Sequence, residues 1–90
     1  MEITGTIEAI NPVEQVTERF KKREFVVKTE GDYPQFVLIQ TTNDKVSLLN
    51  SLMTGNQVKV HFNLNGRKHN GQNGIKYFNS IDAWKIEKLN

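Results

Sequence analysis

Apolar residues alternate with polar ones along most of this chain, and only the stretch from Asn43 to Met53 breaks the rhythm. A period of two puts one side of a strand in a core and the other in water, so the pattern commits the chain to a β architecture with one helix. The clearest case is Val58, Val60, Phe62 and Leu64 facing one way, with Gln57, Lys59, His61, Asn63 and Asn65 facing the other. Glu2 to Ile10 alternates likewise, and Gly5 inside it predicts a bulge or a sharp bend. Asn11-Pro12 ends that strand, and the polar residues as far as Glu18 read as a loop. Two further strands, Phe20 to Thr29 and Gln35 to Thr41, flank the turn residues Glu30-Gly31-Asp32 and read as an antiparallel hairpin.

In the exceptional stretch, Val46, Leu49, Leu52 and Met53 recur at helical spacing. Thr42 or Asn43 is placed to cap its start, and Gly55 to end it in a left-handed conformation. Beyond the strand that begins at Gln57, the segment Gly66 to Gly74 reads as a glycine- and asparagine-rich hairpin tip. A last strand runs from Ile75 to near Glu87, with an irregularity expected near Asp82-Ala83, because the apolar parity shifts between Ile81 and Trp84.

The order is therefore β-β-β-α-β-β, with the helix between strands three and four. That is the arrangement of the OB-fold, a small five-stranded Greek-key barrel that is partly open. An SH3-like barrel lacks an amphipathic helix at that place. Ninety residues suit a single domain spanning 1–90. No run of 18 apolar residues exists, so no membrane-crossing helix is expected, and the N-terminal residues carry no basic-then-apolar leader. With no cysteine there is neither a disulfide framework nor a thiolate metal site, and a reducing cytoplasm is the expected address.

The formal net charge of +2 conceals an uneven distribution. Residues 1–18 carry Glu2, Glu8, Glu14 and Glu18 with no base. Residues 19–28 carry Arg19, Lys21, Lys22, Arg23 and Lys28 against Glu24 alone. From Lys45 to Ile81 there is no acid, while Lys45, Lys59, Arg67, Lys68 and Lys76 are basic. What matters is whether the fold brings the two basic segments together.

Leu52-Met53-Thr54-Gly55, then Gln57-Val58-Lys59-Val60-His61-Phe62, the basic tip and Gly74-Ile75-Lys76-Tyr77 resemble bacterial single-stranded-DNA-binding proteins. Lys21-Lys22-Arg23-Glu24-Phe25-Val26-Val27 through Tyr33-Pro34-Gln35, with Ala83-Trp84-Lys85-Ile86, resembles more closely an uncharacterised family of small bacterial and phage proteins with a single-strand-binding-like OB-fold. This second resemblance covers nearly the whole chain. Two departures stand out. The single-strand binders stack bases on tryptophans of strands two and three, where this chain offers Phe20, Phe25 and Phe36 and keeps its one tryptophan at Trp84. They also continue into a glycine-rich tail with an acidic tip that recruits partners, whereas this sequence stops at Lys88-Leu89-Asn90, so no recruitment of that kind is expected.

An OB-fold binds oligonucleotides on strands two and three, flanked by the loops that join strands 1–2 and 4–5. Arg19, Lys21, Lys22 and Arg23 fall at the first of these places, Arg67, Lys68 and His69 at the second, and Lys59 and Lys76 on the neighbouring strands. These are the expected phosphate contacts, with His69 as a phosphate or stacking contact. Phe36 and Tyr77 are the expected stacking platforms, because aromatic faces under bases and cations along the backbone are what single-strand binders combine. Phe25 and Phe62 belong to the core by their parity. Tyr77 and Phe78 point to opposite faces, so one of the pair should be outside, and Trp84 reads as core closure or a subunit contact. Each cation has the plainer reading of a solvated hairpin charge.

Catalysis is not expected. No pair of carboxylates marks a cleft, no serine sits in a nucleophile elbow, and residues 66–74 are not a phosphate-binding loop. His61 and His69 without cysteines make no zinc site, and no cofactor is expected. The function read from the sequence is non-enzymatic, largely sequence-independent binding of single-stranded DNA. The alternatives are a protein–protein module using the same face or its strand edges, or RNA binding. Exposed strand edges suggest a homodimer or homotetramer.

Overall fold

A computed structural model describes all residues, 1–90. The alternating segments become β1 (Glu2–Ile10), β3 (Phe20–Thr29), β4 (Phe36–Thr42), β5 (Gln57–Gly71) and β6 (Gly74–Lys88), with a short additional β2 (Glu14–Thr17) and a 3₁₀ helix, Asn43–Leu49, between β4 and β5. The strands lie in the order β1-β5-β6-β4-β3-β2, and β1 also pairs with β3, so the sheet closes on itself. Apart from β2, this is the OB-fold order.

β1 closes the barrel by belonging to both halves. Glu2 to Thr6 pair with β5, while Gly5 to Ile10 pair with β3. At the overlap Gly5 faces Val58 on one side and Thr29 on the other. A Cβ on Gly5 would lie 2.3 Å from the Lys28 carbonyl oxygen and 2.8 Å from Val27 Cγ1, so only glycine lets the strands approach this closely. The bulge in β1 comes later, between Ile7 and Ala9. The other closure is slight: β4 and β6 run parallel and pair only at Gln40 and Asp82.

Inward positions of the alternation form the core: Ile7, Phe25, Val27, Ile39, Val58, Val60 and Ala83, with Leu49 of the helix packed against them. Full burial of each large side chain contributes about 1.5–3 kcal/mol. Phe25 and Phe62 are buried, as their parity requires.

Four expectations are corrected. The stretch 11–18 is not all loop, because β2 pairs with Phe20, Lys21 and Lys22 of β3. The helix is a short 3₁₀ segment rather than one running to Met53, which is exposed. Val46, Leu49 and Leu52 are spaced by three, the 3₁₀ period. Thr42 at its start makes no side-chain cap, Asn43 takes φ 50°, and Gly55, at φ 93°, lies beyond the helix in the turn before β5. Gly66 to Gly74 is mostly strand, since β5 and β6 remain paired out to Gly71 and Gly74 around a turn of Gln72 and Asn73. Leu64 continues the parity of Phe62 yet is exposed, because the hairpin has by then left the barrel.

Candidate nucleic-acid interface

The register of β3 against β4 separates two faces. Phe25 opposite Ile39 points into the core, whereas Lys22 opposite Thr42, Glu24 opposite Gln40, Val26 opposite Leu38 and Lys28 opposite Phe36 alternate outward. Phe36 is 62% exposed, and the Lys28 ammonium lies 5.8 Å from its ring centroid, so a cation and an aromatic face share one spot.

The β5–β6 hairpin runs past the end of this face. Its register shifts between His61 and Phe62, opposite Lys85 and Ala83, which makes Trp84 the extra residue of a bulge. Beyond the bulge, Asn65 pairs with Ser80, Arg67 with Phe78 and His69 with Lys76 on one side of the ribbon. Lys68 with Tyr77 lies on the other. Both Tyr77 and Phe78 are exposed, correcting the expectation that one would turn inward: a two-stranded ribbon in solvent has no inside.

Between the barrel and the ribbon opens a cleft of about 640 Å³. Phe20, Lys22 and Thr42 line it from β3 and β4, Arg67 and Phe78 from the hairpin. Thus the two basic segments, distant in sequence, meet in one place with an aromatic ring from each side. Lys22 also lies 3.9 Å from Glu14, a partly exposed pair worth about 0–1 kcal/mol that a phosphate can displace. Gln40, Asn65, Ser80 and Asp82 also line it. An adjoining groove of about 390 Å³ carries Leu38, Leu64 and Ile81 towards Phe36's strand. Another cleft, of about 610 Å³, lies across Glu8, Lys28 and Glu30, with acids and no aromatic ring.

The remaining predicted residues divide by location. Lys21 is half-buried at the start of β3, and its backbone N–H donates to Asn43 Oδ1 at 3.2 Å. Arg23 has inward parity and is held by structure: Nε donates to the Asn11 carbonyl at 2.9 Å and Nη1 to Asn50 Oδ1 at 3.2 Å, tying the β1–β2 loop to the end of the helix. Arg19 stands exposed in the β2–β3 turn. His69 and Lys76 extend the Arg67–Phe78 side of the hairpin, with Lys68 and Tyr77 behind them. Lys59 is apart from all of these. It pairs with Glu2 at 3.7 Å on the β1–β5–β6 sheet, beside His61, whose Nε2 is 2.6 Å from Glu87 Oε2 and Nδ1 3.6 Å from Glu2 Oε2. The His61 hydrogen bond holds the Glu87 carboxyl below its ordinary value of 4.5, assisted by the charges of Lys85, His61 and Lys59 and opposed by burial. Trp84 is 46% exposed with its ring centroid 5.2 Å from that of His61, so it is not core closure.

Two aromatic rings of the cleft, Phe20 and Phe78, were not among the expected platforms. Phe20 lies amid the basic run Arg19 to Arg23, and that neighbourhood is its signal in the sequence. Phe78 could be found only by seeing that the tip is strand and extends beyond the barrel.

The molecule is thus an OB-fold domain with a cationic, aromatic-lined cleft between its β3–β4 face and its last hairpin. Over residues 2–87 the chain matches the family described as "Domain of unknown function (DUF3127)", and it belongs to that family. No curated protein sequence matches it. Among solved structures it is similar to the mitochondrial single-stranded DNA binding protein Rim1 of S. cerevisiae, with a TM-score of 0.73 at 15% identity, covering 99% of this chain and 92% of that one. It is also similar to the small single-stranded DNA-binding protein of Streptomyces coelicolor, with a TM-score of 0.63 at 14% identity and coverage of 99% and 92%. At such identities the likeness establishes the fold.

Proposed function

We propose that this protein binds single-stranded DNA without catalysing a reaction on it. The observation that carries the proposal is the cleft in which Lys22 and Arg67 stand beside Phe20 and Phe78. Cations there neutralise phosphates, while the rings stack bases, a contact that accepts any base because every base has a π face. The strand continues in one direction along Leu38 to Phe36 and Lys28, and in the other along His69 and Lys76 of the hairpin. Arg19, Lys21, Lys68 and Tyr77 are secondary contacts at the margins. Lys59, turned away and paired with Glu2, lies outside the path, and Arg23 supports the site by fixing the loop and helix. The two structural neighbours, both named as single-stranded DNA-binding proteins, support the same reading. The exposed Trp84 on the β1–β5–β6 face supports assembly into a homodimer or homotetramer through that side.

The test is a competition among labelled oligo-dT, oligo-U and duplex DNA at one moderate salt concentration. Paired bases cannot lie flat on a ring, so the single strand should bind more tightly than the duplex, and DNA at least as well as RNA. A duplex preference would overturn stacking, and absence of binding to any of the three would overturn the proposal.

A further inference from the structure

One acid stands inside the cationic cleft. Asp82 is half-buried there, at the point where β4 and β6 make their single pairing. Its Oδ1 accepts Gln40 Nε2 at 2.5 Å. Its Oδ2 accepts Ser80 Oγ at 3.1 Å and also Asn65 Nδ2. A carboxylate has about four lone-pair sites, so these three donors leave one for a molecule that enters. A phosphate cannot take it, since like charges repel. An N–H group can.

Each amide that holds Asp82 spends one N–H on it and keeps its second. The cleft therefore presents an anionic acceptor beside amide donors. Cytosine offers the complement, an exocyclic amino group next to a ring nitrogen that accepts. Thymine in the same pose puts a carbonyl oxygen against the carboxylate, which is unfavourable, and its one donor, the ring N3–H, lies a position further along the base edge. Phe20 and Phe78, lining the same cleft, supply surfaces on which the base would lie.

We infer that Asp82, held by Gln40, Asn65 and Ser80, forms a base-reading subsite that favours cytosine over thymine within otherwise sequence-tolerant binding. This rests on the single-strand reading above and adds to it a preference at one position. An Asp82 that served only to close the barrel would leave base choice untouched.

The experiment titrates the full chain with labelled oligo-dC and oligo-dT of equal length at the same salt, by fluorescence anisotropy. Wild type should bind oligo-dC about tenfold more tightly, the size of one good base contact. Asp82→Asn, whose amide can turn to donate to the thymine oxygen, should bring the two affinities together while keeping the salt dependence. An oligomer of a pyrimidinone analogue, with hydrogen in place of cytosine's amino group, should bind wild type no better than oligo-dT, a test that needs no variant to fold. Equal, salt-sensitive binding of oligo-dC and oligo-dT by wild type would overturn this inference and leave single-strand binding standing. So would a cytosine preference that survives Asp82→Asn or loss of the amino group. No binding of either oligomer at low salt would overturn both.

Discussion

Phe62 and Phe78 sit on the same hairpin but should respond to truncation in opposite ways. Phe62 lies at the end of the buried row Val58-Val60-Phe62 and is 9% exposed, whereas Phe78 is 54% exposed on the ribbon beyond the barrel. Removing a buried phenylalanine ring costs about 3–5 kcal/mol, because the transfer energy is lost and a cavity remains. A domain of this size holds roughly 5–13 kcal/mol in all. At about 4–8 °C per kcal/mol, Phe62→Ala should lower Tm by at least about 12 °C, or unfold the chain outright. Phe78→Ala removes little buried contact, and its stability should stay within about 0.5 kcal/mol of wild type. Its cost should appear in binding instead, at roughly 1–3 kcal/mol for one lost stacking platform, or about 5- to 150-fold in Kd. Thermal melts by circular dichroism and oligo-dT titrations on the two variants read these quantities separately. If Phe78→Ala melts as low as Phe62→Ala, the ring is core and the ribbon is not free in solvent. If it folds and binds like wild type, the cleft does not stack a base there.

Gly5→Ala places a methyl against the Lys28 backbone, where no side chain can yield, and should cost more than the roughly 1–3 kcal/mol usual for overpacking; a melt within a few degrees of wild type would refute the account of barrel closure. Lys22→Ala combined with Arg67→Ala should flatten the slope of log affinity against log salt by about 1.4, at 0.7 per phosphate contact, while Lys59→Ala should leave it unchanged. The bond from His61 lowers the Glu87 pKa in the folded state, so its contribution to stability is present above the ordinary value of 4.5 and is lost as pH falls through the lowered one. Glu87→Gln should therefore lose less stability than wild type on acidification through that window, in urea melts at stepped pH; an identical loss would show that the pair is not linked to folding.

The barrel was legible because its strands are half-buried. Val58, Val60 and Phe62 on β5, or Ile3, Gly5 and Ile7 on β1, alternate with polar neighbours because one side of each strand meets the core and the other meets water. The same logic failed where burial ends. From Asn63 to Ser80 both sides of the ribbon are solvated, no face selects apolar residues, and Gly66, Asn70 and Gly71 read as a loop although they are paired strand. Val46, Leu49 and Leu52 revealed a helix, but apolar spacing alone did not separate two turns of 3₁₀ from a longer α-helix. The parity change between Ile81 and Trp84 did expose the bulge, to within a residue or two. As for the candidate site, charge clustering pointed to Lys22 and Arg67, which the fold brings to one cleft. Partner choice could not be read from composition, so Arg23, bonded to Asn11 and Asn50, and Lys59, paired with Glu2, looked no different from the residues of the cleft. Asp82 was seen as a strand irregularity, and its place among Gln40, Asn65 and Ser80 depends on β4 meeting β6, a pairing 42 residues apart.

In the proposed mode of binding a phosphate backbone lies along the cleft and the hairpin beyond it. A salt titration of wild-type binding to oligo-dT tests that most directly. If three to five of the cations from Lys21, Lys22, Arg67, Lys68 and Lys76 meet phosphates, log affinity should fall against log salt with a slope of about −2 to −3.5. Measurable binding with a slope near zero would contradict it, because no arrangement of these side chains on a phosphate backbone is indifferent to salt.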